Sequence, residues 1–263
     1  MGIMEVEKIK DTTKPMKAVI ISSQRSGSTF LTSYLDSHPQ VYCPSGEILI
    51  ADPRKGNVPA ILSPYRVPRK LWRYVMSGAW RPIKLLDSFY ATQGKSVNIC
   101  KVMYNQLENT GSRQYFLKNT EIRVIHLRRA NLLKQYVSKL LKLQGGKLGR
   151  KNPFPTKSVP VVSIHVSPQK AIKEMRRVQN WFDQYKQLLS QHPHIELVYE
   201  TMISGQSLSP DASKSVNDLL ELESISMNSD LVKVNPEKLE LMVNNYEELV
   251  TKLKGTEFEC FLD

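Results

Sequence analysis

Cysteine is scarce in this chain, and what there is forms no pairing pattern. Cys43, Cys100 and Cys260 are the three thiols among 263 residues, with no CxxC pair. That excludes a disulfide scaffold and a cysteine-ligated zinc cluster, and an odd number of scattered thiols fits a reducing compartment. Long hydrophobic runs are missing too. Nothing approaches the ~20 apolar residues of a membrane-crossing helix; the longest run near the N-terminus is Ala18–Ile21. The first 17 residues carry Glu5, Glu7 and Asp11 and lack the apolar core of a signal peptide. A cytoplasmic protein with no membrane span is expected. Internal repeats and low-complexity linkers are absent as well. With 41% hydrophobic and 24% charged residues, disordered and collagen-like chains are excluded. A single domain over residues 1–263 is the expectation, with a core over 17–202 and a helical C-terminal part over 203–263.

Acids are missing where bases gather. The net charge is +12, yet residues 217–263 hold 11 acids and 4 bases, so residues 1–216 carry +19. Residues 53–86 contain eight Lys/Arg and no acid; residues 121–157 contain ten against the single Glu121. Solvated surface, nucleic acid, a membrane surface and a multiply anionic small ligand all fit such a balance.

Lys17–Ser22 (KAVIIS) is a short β-branched apolar run, the pattern of a buried strand. A polar turn follows, and then Phe30, Leu31, Tyr34 and Leu35 recur at helical spacing until His38-Pro39. Val97–Met103 and Ile122–Leu127 are further strand candidates. The latter leads into a helix over Asn131–Leu143, ended by Gly145-Gly146, with residues 144–160 reading as a loop. Pro168–Gln191 is a long amphipathic helix with proline in its first turn. Ile195–Tyr199 is a fourth strand, and residues 211–222 and 236–254 read as helices. Strands alternating with helices predict an α/β fold: a P-loop-like three-layer arrangement with a central, mostly parallel sheet flanked by helices. Ligands of such sheets bind beyond the carboxyl ends of the strands.

Ser23–Thr29 therefore lies where an anion would sit. Gly27 allows close backbone approach, and Ser28 and Thr29 open a helix with N–H and hydroxyl donors. The Walker A pattern GxxxxGK[ST] is absent: no glycine stands five before Gly27, and Ser28 replaces the lysine. Arg25 supplies the cation instead.

The run Arg25-Ser26-Gly27-Ser28-Thr29, then Leu35-Asp36-Ser37-His38-Pro39, then Gly46-Glu47, resembles the opening of sulfotransferases that use 3′-phosphoadenosine 5′-phosphosulfate (PAPS). It is similar to bacterial carbohydrate sulfotransferases and, in the loop, to tyrosylprotein sulfotransferases. Lys101–Gln106 (KVMYNQ), Ile125–Arg129 followed nine residues later by Ser138, and Tyr199-Glu200 resemble further segments of the family in the same order. The resemblance implies that Arg25, Ser26, Gly27, Ser28 and Thr29 cradle the 5′-phosphosulfate. It implies that Arg129 (or its neighbour Arg128) and Ser138 bind the 3′-phosphate, and that Tyr199 lies near the adenine. Glu47 is then the general base and Arg25 the stabiliser of the leaving phosphate oxygen, while Lys101 adds positive charge at the sulfonate or merely snorkels from its strand end. PAPS is the implied co-substrate and PAP the product, with no metal. The acceptor is a hydroxyl, such as that of a glycan or glycolipid, shaped by residues 48–95 and 144–160.

Sulfuryl transfer is an in-line displacement governed by positioning and electrostatics, much as phosphoryl transfer is. A donor with two phosphates and a sulfonate gives the basic stretches a use. Two other readings stay open: a P-loop-type phosphotransferase (kinase), opposed by the missing Walker A lysine and the lack of a Mg²⁺-binding Asp after a strand, and a basic nucleic-acid-binding protein, opposed by the lack of a binding motif. His126, in an apolar run, reads as a satisfied core histidine, and His38 as serving a helix end. His192 and His194 have no partners at metal-ligand spacing. Trp72, Trp80 and Trp181 read first as packing residues; Trp72 and Trp80, within the acid-free stretch 53–86, are also candidates to line an acceptor cleft for sugar stacking.

Overall fold

Strand β1 (Met16–Ser22) is apolar on both of its faces. Ala18 and Ile20 point one way, Val19 and Ile21 the other, and all four are fully buried. Such a strand must be covered on both sides. In the computed structural model, which describes residues 14–49, 82–92, 94–147, 163–231 and 238–262, it is the middle of a five-stranded sheet. Its neighbours are β2 (Val41–Tyr42), β3 (Val97–Met103), β4 (Arg123–Arg128) and β5 (His194–Val198), in the order β2-β3-β1-β4-β5. Every pairing is parallel.

One face is covered by α1 (Ser28–Asp36), through Leu31 and Leu35, and by Val216 and Leu220, which belong to the later helix Pro210–Leu220. The other is covered by α2 (Pro82–Tyr90), α3 (Tyr104–Thr110) and α4 (Arg113–Lys118), joined by Tyr185. Beside these, α5 (Leu132–Lys147) packs on α6 (Pro168–Leu188). The chain then passes β5, the single turn α7 (Tyr199–Met202), the small hairpin β6 (Ile203–Ser204) and β7 (Ser207–Leu208), α8 (Pro210–Leu220) and α9 (Tyr246–Leu253). The expected three-layer α/β architecture is the observed one. No helix among the described residues is long and apolar enough to cross a membrane.

Two expectations are corrected. Gly145-Gly146 does not end α5, which continues to Lys147. A glycine weakens a helix interior by roughly 1 kcal/mol without forbidding it, and the packing of Leu140 and Leu141 against the neighbouring cluster carries the helix onward. The expected loop 144–160 thus starts later, and residues 148–162 lie outside the described ones. The expected helix 236–254 is broken as well. Its described part has one 3₁₀ turn (Leu239–Leu241), an isolated bridge of Val243 to Ile164, and only then α9. Asn245 explains the break. Its side chain accepts the Val166 N–H at 2.9 Å and donates to the Val166 carbonyl at 3.0 Å, offering the backbone an alternative to helix.

His126 is a core residue, as expected. Its Nε2 lies 2.7 Å from the Tyr104 hydroxyl, and Phe182 stacks on its ring at 4.5 Å. Burial pushes its pKa down to about 4, below the ~6.5 of an unfolded chain. Between those values the unfolded chain binds the extra proton, so stability is present above about pH 6.5 and is lost as pH falls toward 4. Thermal melts should show the margin of wild type over H126Q shrinking across that window; a margin independent of pH would contradict it. His38 serves the turn after α1, its Nδ1 accepting the Gln40 N–H at 3.2 Å.

Candidate active site

The register brings the carboxyl ends of the strands level. Ser22 lies opposite Met103 on one side and Leu127 on the other, and Arg128 opposite Val198. The connection from β1 runs toward β2, whereas the chain from β3 crosses β1 to reach β4, so the topological switch falls at the end of β1. Most of the candidate residues follow one of these ends.

The turn after β1 is shaped by backbone no ordinary sequence adopts. Gly27 is left-handed (φ 88°, ψ 6°), and Arg25 has a positive φ of 65°. Ser26 Oγ donates to the Ser23 carbonyl at 2.8 Å and closes the loop. Helix α1 starts at Gly27 with no side-chain cap and no acid in its first turn, so its leading N–H groups and positive end face the loop. The ring of Tyr199 lies against the glycine: a Cβ placed on Gly27 would be 2.2 Å from Tyr199 Cδ2. Glycine is required here twice over, for its φ and for the ring.

Two guanidinium groups share this place. Arg129 follows β4 and lies over the Tyr199 ring at 5.0 Å. Burial lowers the pKa of Arg25, and the charge of Arg129 lowers it further. Burial also lowers that of Arg129. A half-buried pair of like charges is a place where an anion gains energy from both. Arg128 turns elsewhere, its guanidinium 5.4 Å from the Phe182 ring. Ser138 Oγ accepts a hydrogen bond from Arg25 Nε at 3.1 Å, so the loop after β1 also reaches the helix after β4.

Glu47 sits on the segment after β2 and is gripped by the KVMYNQ run. Gln106 Nε2 donates to Glu47 Oε2 at 2.6 Å, while Gln106 Oε1 accepts the Met103 N–H at 2.9 Å. Lys101, only 3% exposed, donates through Nζ to the Ser45 carbonyl at 2.7 Å. Burial lowers the lysine's pKa, and nearby Glu47 opposes that shift. The first and last residues of the run therefore fix the turn that carries Glu47.

Solved sulfotransferase structures are similar to this chain. The sulfotransferase domain of the Synechococcus PCC 7002 olefin synthase has 17% identity over 82% of this chain and 76% of its own, with a TM-score of 0.44. The sulfotransferase from Alicyclobacillus acidocaldarius has 13% identity over 95% and 96%, with a TM-score of 0.45. The sulfotransferase domain from the curacin biosynthetic pathway has 16% identity over 80% and 75%, with a TM-score of 0.45. No family model and no curated protein matches the chain.

Three residues of the site are not singled out by the sequence. Gln135 Nε2 donates to Ser23 Oγ at 2.5 Å and to the Gln24 carbonyl at 2.6 Å, tying the loop to α5. It stands three residues before Ser138, on the same helix face, a spacing that would have found it. Gln106 closes a run already noticed, and its part is visible only once Glu47 is placed beside it. Glu200 accepts the N–H groups of Ala130 at 2.7 Å and Asn131 at 3.3 Å and lies 3.4 Å from Arg129 Nε, which is left without a hydrogen bond. It holds the turn after β4 in place. Among the described residues no cluster of three metal-ligating side chains occurs. Trp72, Trp80 and residues 50–81 of the expected acceptor region lie outside the described ones.

Proposed function

We propose that this protein is a sulfotransferase that moves the sulfuryl group of PAPS to a hydroxyl acceptor. The observation that carries the reading is the closeness of Arg25, in the Gly27 loop, to Arg129 after β4: two part-buried cations brought together from two different strand ends. An anion with two separated phosphates matches that arrangement, and the uncapped start of α1 supplies N–H donors for one of them. The missing Walker A lysine fits a donor other than a nucleoside triphosphate.

PAPS supplies the sulfuryl group and leaves as PAP. In this reading Ser26, Gly27, Ser28 and Thr29 hold the 5′ side by backbone N–H and hydroxyl donors, and Arg25 stabilises the charge on the departing oxygen. Arg129 holds the 3′-phosphate, since Arg128 is occupied with Phe182. Ser138 acts through Arg25, which it orients, and so borders both phosphates. Tyr199, laid on Gly27 and under Arg129, offers its ring to the adenine. Glu47 takes the acceptor proton as the hydroxyl attacks. Lys101 positions the Glu47 turn and adds positive charge behind it.

The test is transfer itself. PAPS labelled in its sulfur, incubated with a panel of hydroxyl acceptors in EDTA, should give labelled acceptor and PAP in equal amounts. Absence of transfer to every acceptor, or transfer of the γ-phosphate of ATP instead, would overturn the reading.

A further inference from the structure

A groove runs between α5 and α6 and opens at the loop. Its inner part, a cavity of about 230 Å³, is bounded by Ser23, Gln24 and Asn105 and by the facing sides of the two helices. Its outer part, about 330 Å³, continues along the same helices past Lys170 and Lys173. Tyr136, Lys139, Glu174 and Arg177 line both parts, so the two form one channel. The wall residues recur every three or four positions on each helix, so each turns one face into it. Ser23 and Gln24 begin the anion loop, and Asn105 is the neighbour of Gln106, which holds Glu47. The inner end of the groove therefore opens on the start of the anion loop and on the first turn of α3.

The charge in the groove is unbalanced. Glu174 is the single acid among the described residues that line it, and it is already shared: Lys139 lies 2.6 Å from one of its oxygens and Arg177 pairs with the other. These two cations hold its pKa down against the opposing effect of burial. Lys170 and Lys173 are exposed and have no acidic partner among the described residues. The inner wall also carries neutral amides (Gln24, Asn105, Gln135), the rings of Tyr136 and Trp181, and the apolar side chains of Leu132, Met175 and Val178.

We infer that this groove binds an acidic saccharide as the acceptor, with Lys170 and Lys173 holding its carboxylate or sulfate groups and the hydroxyl to be modified lying at the inner end. The inference rests on the sulfotransferase reading. Amides that both donate and accept suit a ring of hydroxyls, and aromatic rings suit the apolar face of a sugar. An extended peptide would need a free strand edge, which two facing helices do not offer, and the lysines along the outer part favour an anionic occupant over an apolar helix.

The experiment is calorimetric titration of PAP-saturated protein with a heparin-derived tetrasaccharide, with neutral maltotetraose and a polyglutamate peptide as comparisons. Wild type is set against K170E/K173E, with melting curves to show both are folded. The tetrasaccharide should bind more tightly than either comparison, and about tenfold or more weakly to the variant, with PAP affinity the same in both proteins. If PAP binds but the tetrasaccharide does not, or binds the variant equally well, the groove assignment fails and the sulfotransferase reading stands. Tighter binding of polyglutamate, lost in the variant, would overturn the saccharide in favour of a peptide. Failure of PAP to bind wild type would overturn the underlying reading instead.

Discussion

Glu47→Gln should lower kcat by about 10²–10⁴-fold, the range for removal of a general base, and leave the affinity for PAP and the melting temperature unchanged. Glutamine keeps the shape of glutamate and can still accept the Gln106 hydrogen bond through its oxygen, so the turn that Lys101 and Gln106 fix is retained. What it loses is the ability to take a proton. The Gln106 bond that links Glu47 through Met103 to Ser22, at the end of β1, is kept in the variant. The donor site should therefore not register the change. Steady-state rates with PAPS and calorimetry with PAP check the two halves. A kcat within a few-fold of wild type would remove Glu47 from the chemistry.

Gly27→Ala should be the most damaging small change at the donor site, for two separable reasons. An alanine at φ 88° carries about 1–2 kcal/mol of backbone strain. Its Cβ would also stand 2.2 Å from Cδ2 of the Tyr199 ring, which holds Arg129 at 5.0 Å. Either the ring or the loop must move, and both are parts of the proposed donor site. PAP affinity is expected to fall by about tenfold or more, the equivalent of ~1.4 kcal/mol or more lost from the cradle, together with a drop in melting temperature. The double variant G27A/Y199A separates the causes. It relieves the collision and should recover the part of the stability lost to the ring, while PAP binding stays weak because the strained φ remains and the ring offered to the adenine is gone. If G27A binds PAP like wild type, the left-handed turn is not the anion cradle.

The first strand, its loop and α1 were legible because period and chemistry agree there: KAVIIS is apolar on both faces, and its turn carries the single glycine of the segment. β3, β4 and β5 were legible for the same reason, within a residue or two of their observed ends. What the sequence hid depends on the fold. Glu200 looks like any acid after an aromatic residue until parallel pairing of β4 and β5 brings it to the N–H groups of Ala130 and Asn131. The bond from Arg25 to Ser138 is likewise a product of the fold, since it needs the neighbouring ends of β1 and β4 to bring the loop and α5 together. The C-terminal helix was misjudged because periodicity does not show that Asn245 will bind Val166, 79 residues away. The groove between α5 and α6 was invisible for a related reason, since its walls are two helices whose facing sides are known only after they pack.

The most direct test of the central claim is calorimetric titration of the wild-type protein with PAP in EDTA, repeated with ATP and with R25A and R129A. One PAP per chain, held without metal and weakened in both arginine variants, is the predicted result. No heat with PAP, or binding of ATP with magnesium in its place, would contradict the account.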